Sequence, residues 1–250
     1  MMTYNPFQIE GKTILITGAS SGIGRATAIE ASRMGARLIL LGRNQERLTE
    51  TRNNLEGDGH ICFAGDLTSP ETLSEVTSEV PQLDGIVHSA GVNKIVPFSF
   101  ISDKGLDSLF KTNFFAPFLL TRTLVKKRKV NKNGSIVFIT SIEGPITGHV
   151  GNSAYAASKG ALSAAVKSMA VELAPQKIRV NTVLPGMTET PLIYGISISE
   201  EQLAADRLNY PLKRYAQPQE IAWGILYFLS DASSFTTGAG LVIDGGFTLL

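Results

Sequence analysis

Tyr155 and Lys159 stand four residues apart in Ser153–Leu173, a stretch of helical period. On an α-helix, positions i and i+4 share a face, so this spacing brings an ammonium close to a phenol. An isolated phenol titrates near ~10 and a neighbouring cation favours its ionised form, so the pair is expected to do acid–base work nearer neutrality. A second chemical signal is Thr17-Gly-Ala-Ser-Ser-Gly-Ile-Gly24, which follows the run Thr13–Ile16 and leads into Arg25-Ala-Thr-Ala-Ile29. Glycines permit a tight turn and a close approach of backbone to ligand, and the start of the next helix presents unpaired N–H groups with a partial positive charge. Gly18, Ser20, Ser21, Gly22, Ile23 and Gly24 are therefore expected to surround a pyrophosphate, with the serine hydroxyls as added donors. The glycine spacing differs from the G-x-G-x-x-G fingerprint of other dinucleotide sites.

Both signals need a frame that holds strand, turn and helix in fixed relation. Short β-branched runs alternate with longer helical stretches along the whole chain, the pattern of repeated βα units. Strands are expected near Thr13–Gly18, Arg37–Gly42, His60–Ala64, Gly85–Ser89, Ser135–Ser141, Arg179–Leu184 and Leu241–Asp244. Helices are expected near Gly22–Met34, Gln45–Leu55, Pro70–Glu79, Lys104–Lys127, Ser153–Leu173 and Pro218–Ser230. Right-handed crossovers through those helices imply an α/β fold: a doubly wound, Rossmann-like sheet of seven parallel strands with helices on both faces. No linker or internal repeat interrupts the alternation, so residues 1–250 read as a single domain. Met187–Leu212 shows neither a clear strand nor a sheet-packing helix, and is expected to be a loop that selects the substrate.

The end of the second strand, Leu38-Ile-Leu-Leu-Gly-Arg-Asn44, has no acid where NAD-binding folds place a carboxylate on the ribose hydroxyls. Arg43 offers a guanidinium fork for a 2′-phosphate, with room left by Gly42, so NADP is expected in preference to NAD. The 23 basic and 22 acidic residues leave a net charge of +1, which argues against a nucleic-acid surface or a polybasic membrane anchor. No run approaches the ~18 apolar residues of a membrane span, Met1–Lys12 shows no secretory pattern, and Cys62 has no partner for a disulfide. The chain is expected to be cytoplasmic, with Cys62 as small core filler.

Thr17–Gly24, together with Tyr155-Ala-Ala-Ser-Lys159, resembles the short-chain dehydrogenase/reductase family, and the resemblance covers essentially the whole chain. Further matches follow in the family's order: Asp66-Leu67, His88-Ser-Ala-Gly91, Asn113, Ser141, Asn181-Thr-Val-Leu-Pro-Gly186 and Asp244-Gly-Gly246. The resemblance implies that Tyr155 exchanges a proton with the substrate oxygen and that Ser141 hydrogen-bonds the same oxygen. Lys159 would also contact the nicotinamide ribose, and Asn113 would support a water-mediated relay to Lys159. By the same likeness Asp66 and Leu67 would meet the adenine, Ala90 and Gly91 would line the cofactor, and Pro185, Gly186, Thr188 and Thr190 would border the nicotinamide and its phosphates. A homotetramer is also implied, and the apolar excess of Lys104–Lys127 and Ser153–Leu173 points toward helix–helix association.

Within the family the chain is most similar to 3-oxoacyl-acyl-carrier-protein reductases, through Pro218-Gln-Glu-Ile221, Phe228-Leu-Ser-Asp231, Thr237-Gly238 and Asp244-Gly-Gly-Phe247. This implies an NADPH-dependent carbonyl reductase, with a 3-oxoacyl thioester on acyl-carrier protein as substrate. Sugar, polyol and other secondary-alcohol dehydrogenases share those features and form the alternative. A non-catalytic cofactor sensor is a third reading, opposed by the complete set Asn113, Ser141, Tyr155 and Lys159. Lys126–Lys129 and Lys132 read either as a solvated helix end or as a dock for an acidic carrier, and Ser135 and Gln176-Lys177 stand where the reductases carry arginines. Two more departures are His88-Ser89 in place of paired asparagines, with His88 read as structural, and a fourteen-residue Ser141–Tyr155 interval, which implies an insertion in Gly148–Ser153.

Overall fold

The computed structural model describes residues 4–194 and 199–250. Seven strands, β1 Thr13–Thr17, β2 Arg37–Gly42, β3 Ile61–Ala64, β4 Leu83–His88, β5 Val130–Ile139, β6 Arg179–Pro185 and β7 Gly240–Ile243, form one parallel sheet in the order β3-β2-β1-β4-β5-β6-β7. Their side chains alternate between two cores. Ile14 and Ile16 of β1 face one side with Val87, Val137, Ala28 and Phe228, while Leu15 faces the other with Ile86, Ile136, Leu120 and Val166. A strand covered on both faces must be apolar at every position, which is why these runs show no polar alternation. Helices α1 (Gly22–Arg33) and α9 (Pro218–Leu229) serve the first core, and α3 (Pro70–Glu79), α5 (Ala116–Lys126) and α6 (Ser153–Leu173) the second; α2 (Gln45–Asn53) and α4 (Asp103–Phe110) complete the crossovers. Strand order reverses between β1 and β4, so the loops after these strands diverge and open a crevice at the carboxyl edge of the sheet.

Most expected boundaries agree within two residues, and three do not. Strand β5 starts at Val130, five residues ahead of the expected Ser135, because Val130 already pairs with Leu83, while Asn131–Gly134 lie in an irregularity before the regular ladder and carry no apolar signal. It is held by Asn131 Nδ2 donating to Asp84 at 2.8 Å and by Leu83 N donating to Lys129 O at 2.8 Å, with a register shift between Leu83 and Gly85. The single helix expected over Lys104–Lys127 is α4 and α5 joined by a π-helical turn, Lys111–Phe115. Pro117 has no N–H for the Asn113 carbonyl four residues back, and its ring crowds that oxygen, so the helix widens and Ala116 N bonds Lys111 O instead. Met187–Leu212 is also more ordered than a loop. It contains α7 (Pro191–Tyr194) and α8 (Glu200–Arg207), the latter capped by a reciprocal Ser199–Gln202 pair, while residues 195–198 of the expected loop lie outside the described residues. Ile193 and Leu203 pack with Tyr210 and Tyr215 in a separate small core, which is why a periodicity aimed at the sheet does not reveal these helices.

His88 has the structural place expected of it. It is 2% exposed, its ring stacks on Phe138 at 4.5 Å, Nε2 bonds the Thr121 hydroxyl at 2.8 Å, and burial pushes its pKa down to about 3, so the imidazole is neutral. Cys62 is a partly buried filler beside the first core. Lys127 and Lys129 bond Thr77 Oγ1 and Val80 O at the end of α3, at 3.0 and 2.6 Å. The basic run sits at the amino end of β5, roughly 20 Å of sheet from the crevice, where Lys127 and Lys129 neutralise a helix end. Among the described residues no helix is long and apolar enough to cross a membrane, and no group of ligating side chains could hold a metal.

Candidate active site

At the end of β1 the chain turns through Gly18 at φ +68°, where an added Cβ would lie 2.7 Å from Ala90 N. A Cβ on Gly24 would strike the Gly18 carbonyl, so these two glycines let the turn, α1 and the β4 loop close on one another. Helices α2, α3, α4 and α8 are capped by Asn44, Ser69, Ser102 and Ser199, whereas Ser21 places no side-chain cap on α1. The first N–H groups of α1 are thus left for a ligand. Gly18, Ser20, Ser21, Gly22 and Ile23 line a cleft of about 690 Å³; Gly24 lies beneath it as packing.

The rest of the expected cofactor set converges on the same cleft: Arg43, Asp66, Leu67, Ala90, Gly91, Pro185, Gly186, Thr188 and Thr190 all line it. Arg43 is exposed at the end of β2 and makes no ion pair among the described residues. The Thr68 backbone N–H and hydroxyl, each 2.8 Å from Asp66 Oδ1, hold the Asp66 carboxyl below its ordinary range, and the charge of Arg43 adds to this. Thr190 closes over Gly22, where an added Cβ would lie 3.1 Å from its methyl group. An uncapped helix start, and a turn whose Gly18 and Gly24 leave no room for a Cβ, fit the phosphate chain of a dinucleotide.

Beyond this cradle lies the acid–base end. Ser141 follows β5, Tyr155 is in the first turn of α6, Lys159 is one turn later, and Asn113 is in the π turn. All four are brought together. Lys159 is 6% exposed, donates to Ile139 O at 2.8 Å and has Nζ 5.8 Å from the Tyr155 ring centre. Asn113, 1% exposed, accepts from Val92 N and donates to Val92 O, both at 2.9 Å, and donates to Ser158 Oγ at 3.1 Å. The π turn thereby locks the amide against the β4 loop, and a Cβ on Gly91 would lie 3.4 Å from Lys159 Nζ.

The expected shift of Tyr155 toward neutrality is corrected. Burial in the cleft pushes the phenol up to about 12, opposed by a hydrogen bond with Ser141 and reinforced by the charge of Glu143. Burial also brings the Lys159 ammonium down to about 8. Tyr155 therefore keeps its proton across the neutral range, the state a proton donor needs, while Lys159 is the group that titrates near neutrality. Its pKa is depressed from an ordinary 10.5, so between about 8 and 10.5 the unfolded chain holds more protons on it and its contribution to stability rises with pH. The kcat/KM for ketone reduction is expected to fall as pH rises through about 8, as this cation discharges; a rate profile flat between pH 7 and 9 would refute the assignment.

Sequence reasoning missed the polar wall opposite. Glu143 is 8% exposed, its Oε1 is contacted by His149 Nδ1, and Asn152 Nδ2 donates to the same oxygen at 3.5 Å. His149 packs on Phe247, which stacks on Tyr210, and these residues line the cleft with Asn93. The available signal was an acid two positions after Ser141, at the carboxyl end of a strand where ligands bind.

A dinucleotide cradle that opens onto a protonated phenol with a hydroxyl beside it defines an oxidoreductase that interconverts alcohol and carbonyl groups. The chain belongs to the short-chain dehydrogenase/reductase family. A family model described as enoyl-(acyl carrier protein) reductase matches residues 18–248. The chain is 34% identical over 242 residues to the 3-oxoacyl-[acyl-carrier-protein] reductase FabG of Rickettsia bellii, covering 97% of this chain and 99% of that one. A solved short chain dehydrogenase/reductase family protein superposes with a TM-score of 0.87 at 32% identity, covering 97% of this chain and all of that one. A candidate NAD(P)-dependent gluconate 5-dehydrogenase from Beutenbergia cavernae, solved with bound NADP, superposes with a TM-score of 0.90 at 29% identity, covering 98% and 100%.

Proposed function

We propose that the protein is an NADPH-dependent carbonyl reductase. The observation that carries this reading is the gathering of Ser141, Tyr155 and Lys159 on the wall of the cleft that begins at the glycine turn, with Asn113 buried behind them. A bound nicotinamide supplies the hydride. Ser141 donates a hydrogen bond to the substrate oxygen and holds it beside Tyr155, whose hydroxyl passes its proton to that oxygen as alkoxide charge develops. The Lys159 charge supports the phenolate left behind, and Asn113 holds the Val92 loop and Ser158 in place around that pair. Gly18, Ser20, Ser21, Gly22 and Ile23, which line the cleft, would hold the pyrophosphate, and Arg43 would hold the 2′-phosphate. The residue types at the cradle favour NADPH, as does the NADP named in the structure from Beutenbergia cavernae.

Two substrate classes are in play. Likeness to the FabG reductases supports a 3-oxoacyl thioester, the first substrate to test. The basic run that could dock an acidic carrier is turned away from the cleft, which weakens the carrier-bound form of that substrate. The second class, a sugar or polyol ketone, is favoured by the buried carboxylate of Glu143 beside Ser141. NADPH and NADH oxidation against acetoacetyl thioester, keto sugars and simple ketones tests the reading. Turnover of at least one ketone with a preference for NADPH is expected, and cofactor binding without turnover of any carbonyl would replace it with a sensor.

A further inference from the structure

Among the described residues, two acceptor oxygens on the substrate side of the cleft have no partner, Glu143 Oε2 and Asn93 Oδ1. The other polar atoms of these side chains are joined through Asn152, which donates to Glu143 Oε1 and accepts from Asn93 Nδ2, each at 3.5 Å. His149 holds Glu143 Oε1 from the other side. Because the Asn152 amide gives to one neighbour and takes from the other, its orientation is set, and the two leftover atoms are both acceptors. A buried oxygen without a donor forfeits its hydration, so this wall is complete only against a ligand that brings O–H or N–H groups. The Glu143 backbone N–H bonds Ser141 Oγ at 3.0 Å, which ties the carboxylate to the hydroxyl that receives the reacting oxygen.

We propose that Glu143 Oε2 and Asn93 Oδ1 form a subsite for hydroxyl groups carried next to the reacting carbonyl, each oxygen accepting from one, so that the preferred substrate is a hydroxyketone and the product a vicinal diol or polyol. The proposal rests on the carbonyl-reductase reading and chooses between its two substrate classes. The methylenes of an acyl chain would cover both oxygens and offer them nothing, whereas a substrate hydroxyl donates to the carboxylate. A site built around such a bond rejects the analogue that lacks the hydroxyl far more strongly than an apolar pocket separates two hydrocarbons.

The test compares matched ketones, hydroxyacetone with acetone and 3-hydroxy-2-butanone with 2-butanone, with acetoacetyl thioester as a third arm. Rates are followed as NADPH oxidation. The hydroxylated member of each pair is expected to have a kcat/KM at least tenfold higher. That ratio should collapse toward unity in Glu143→Leu, while Glu143→Gln, which keeps the shape and one acceptor, retains more of it. NADPH fluorescence titration shows whether each variant still assembles the cofactor cleft; if Glu143→Leu does not fold, Asn93→Ala gives the same readout. A wild-type ratio near one, a ratio unchanged in the variants, or a preference for the thioester over every hydroxyketone overturns the subsite and leaves carbonyl reduction standing. Failure to reduce any ketone removes both readings together.

Discussion

Replacing Tyr155 with Phe is expected to lower kcat for carbonyl reduction by about 10²- to 10⁴-fold, the usual worth of a positioned general acid. The phenyl ring keeps its place in the first turn of α6, so fold and cofactor affinity should change little; loss of the hydrogen bond to Ser141 costs about 1 kcal/mol. Single-turnover measurements with saturating NADPH separate this loss from a binding effect. With the phenol held at about 12, no other hydroxyl in the cleft is proposed to deliver the proton, so residual activity above a tenth of the original would remove Tyr155 from its assigned role.

Arg43→Ala is expected to weaken NADPH by about 10- to 100-fold, the range for losing a charge-assisted hydrogen bond to a phosphate, and to leave NADH nearly unchanged. The asymmetry follows from position: Arg43 is exposed at the end of β2, outside both apolar cores, so its loss opens no cavity. Asp66 lies close enough to feel its charge and should become somewhat easier to protonate, without consequence at neutral pH. Fluorescence titration with both nucleotides gives the ratio directly. Equal weakening of the two would mean that Arg43 supports the cleft rim rather than a phosphate.

The βα alternation, the parallel sheet, the glycine turn and the Tyr155/Lys159 pair were legible because each depends on local rules: apolar runs for doubly covered strands, glycine for positive φ, and i,i+4 spacing for a shared face. The π turn was not legible as such. A widened helix and a straight one share the same period over most of their length, and Pro117 alone does not say whether the chain will kink, break or widen. Helices α7 and α8 escaped for a related reason, since their apolar residues answer to Tyr210 and Tyr215 rather than to the sheet.

The ionisation states separate what chain order contains from what folding adds. Which residues can exchange a proton, accept a phosphate or turn sharply is a property of residue type and spacing, and Tyr155, Lys159, Arg43 and Gly18 carry it in the chain itself. Spacing suggested that Lys159 would draw the phenol downward; enclosure by the cleft pushes it up to about 12 and brings the lysine to about 8. Desolvation depends on everything that surrounds a group, most of it distant in sequence, so it exists only once the chain has closed. The same holds for Glu143, whose pairing with His149 and Asn152 and whose oxygen without a partner among the described residues arise where the strand-end loop folds back against α6.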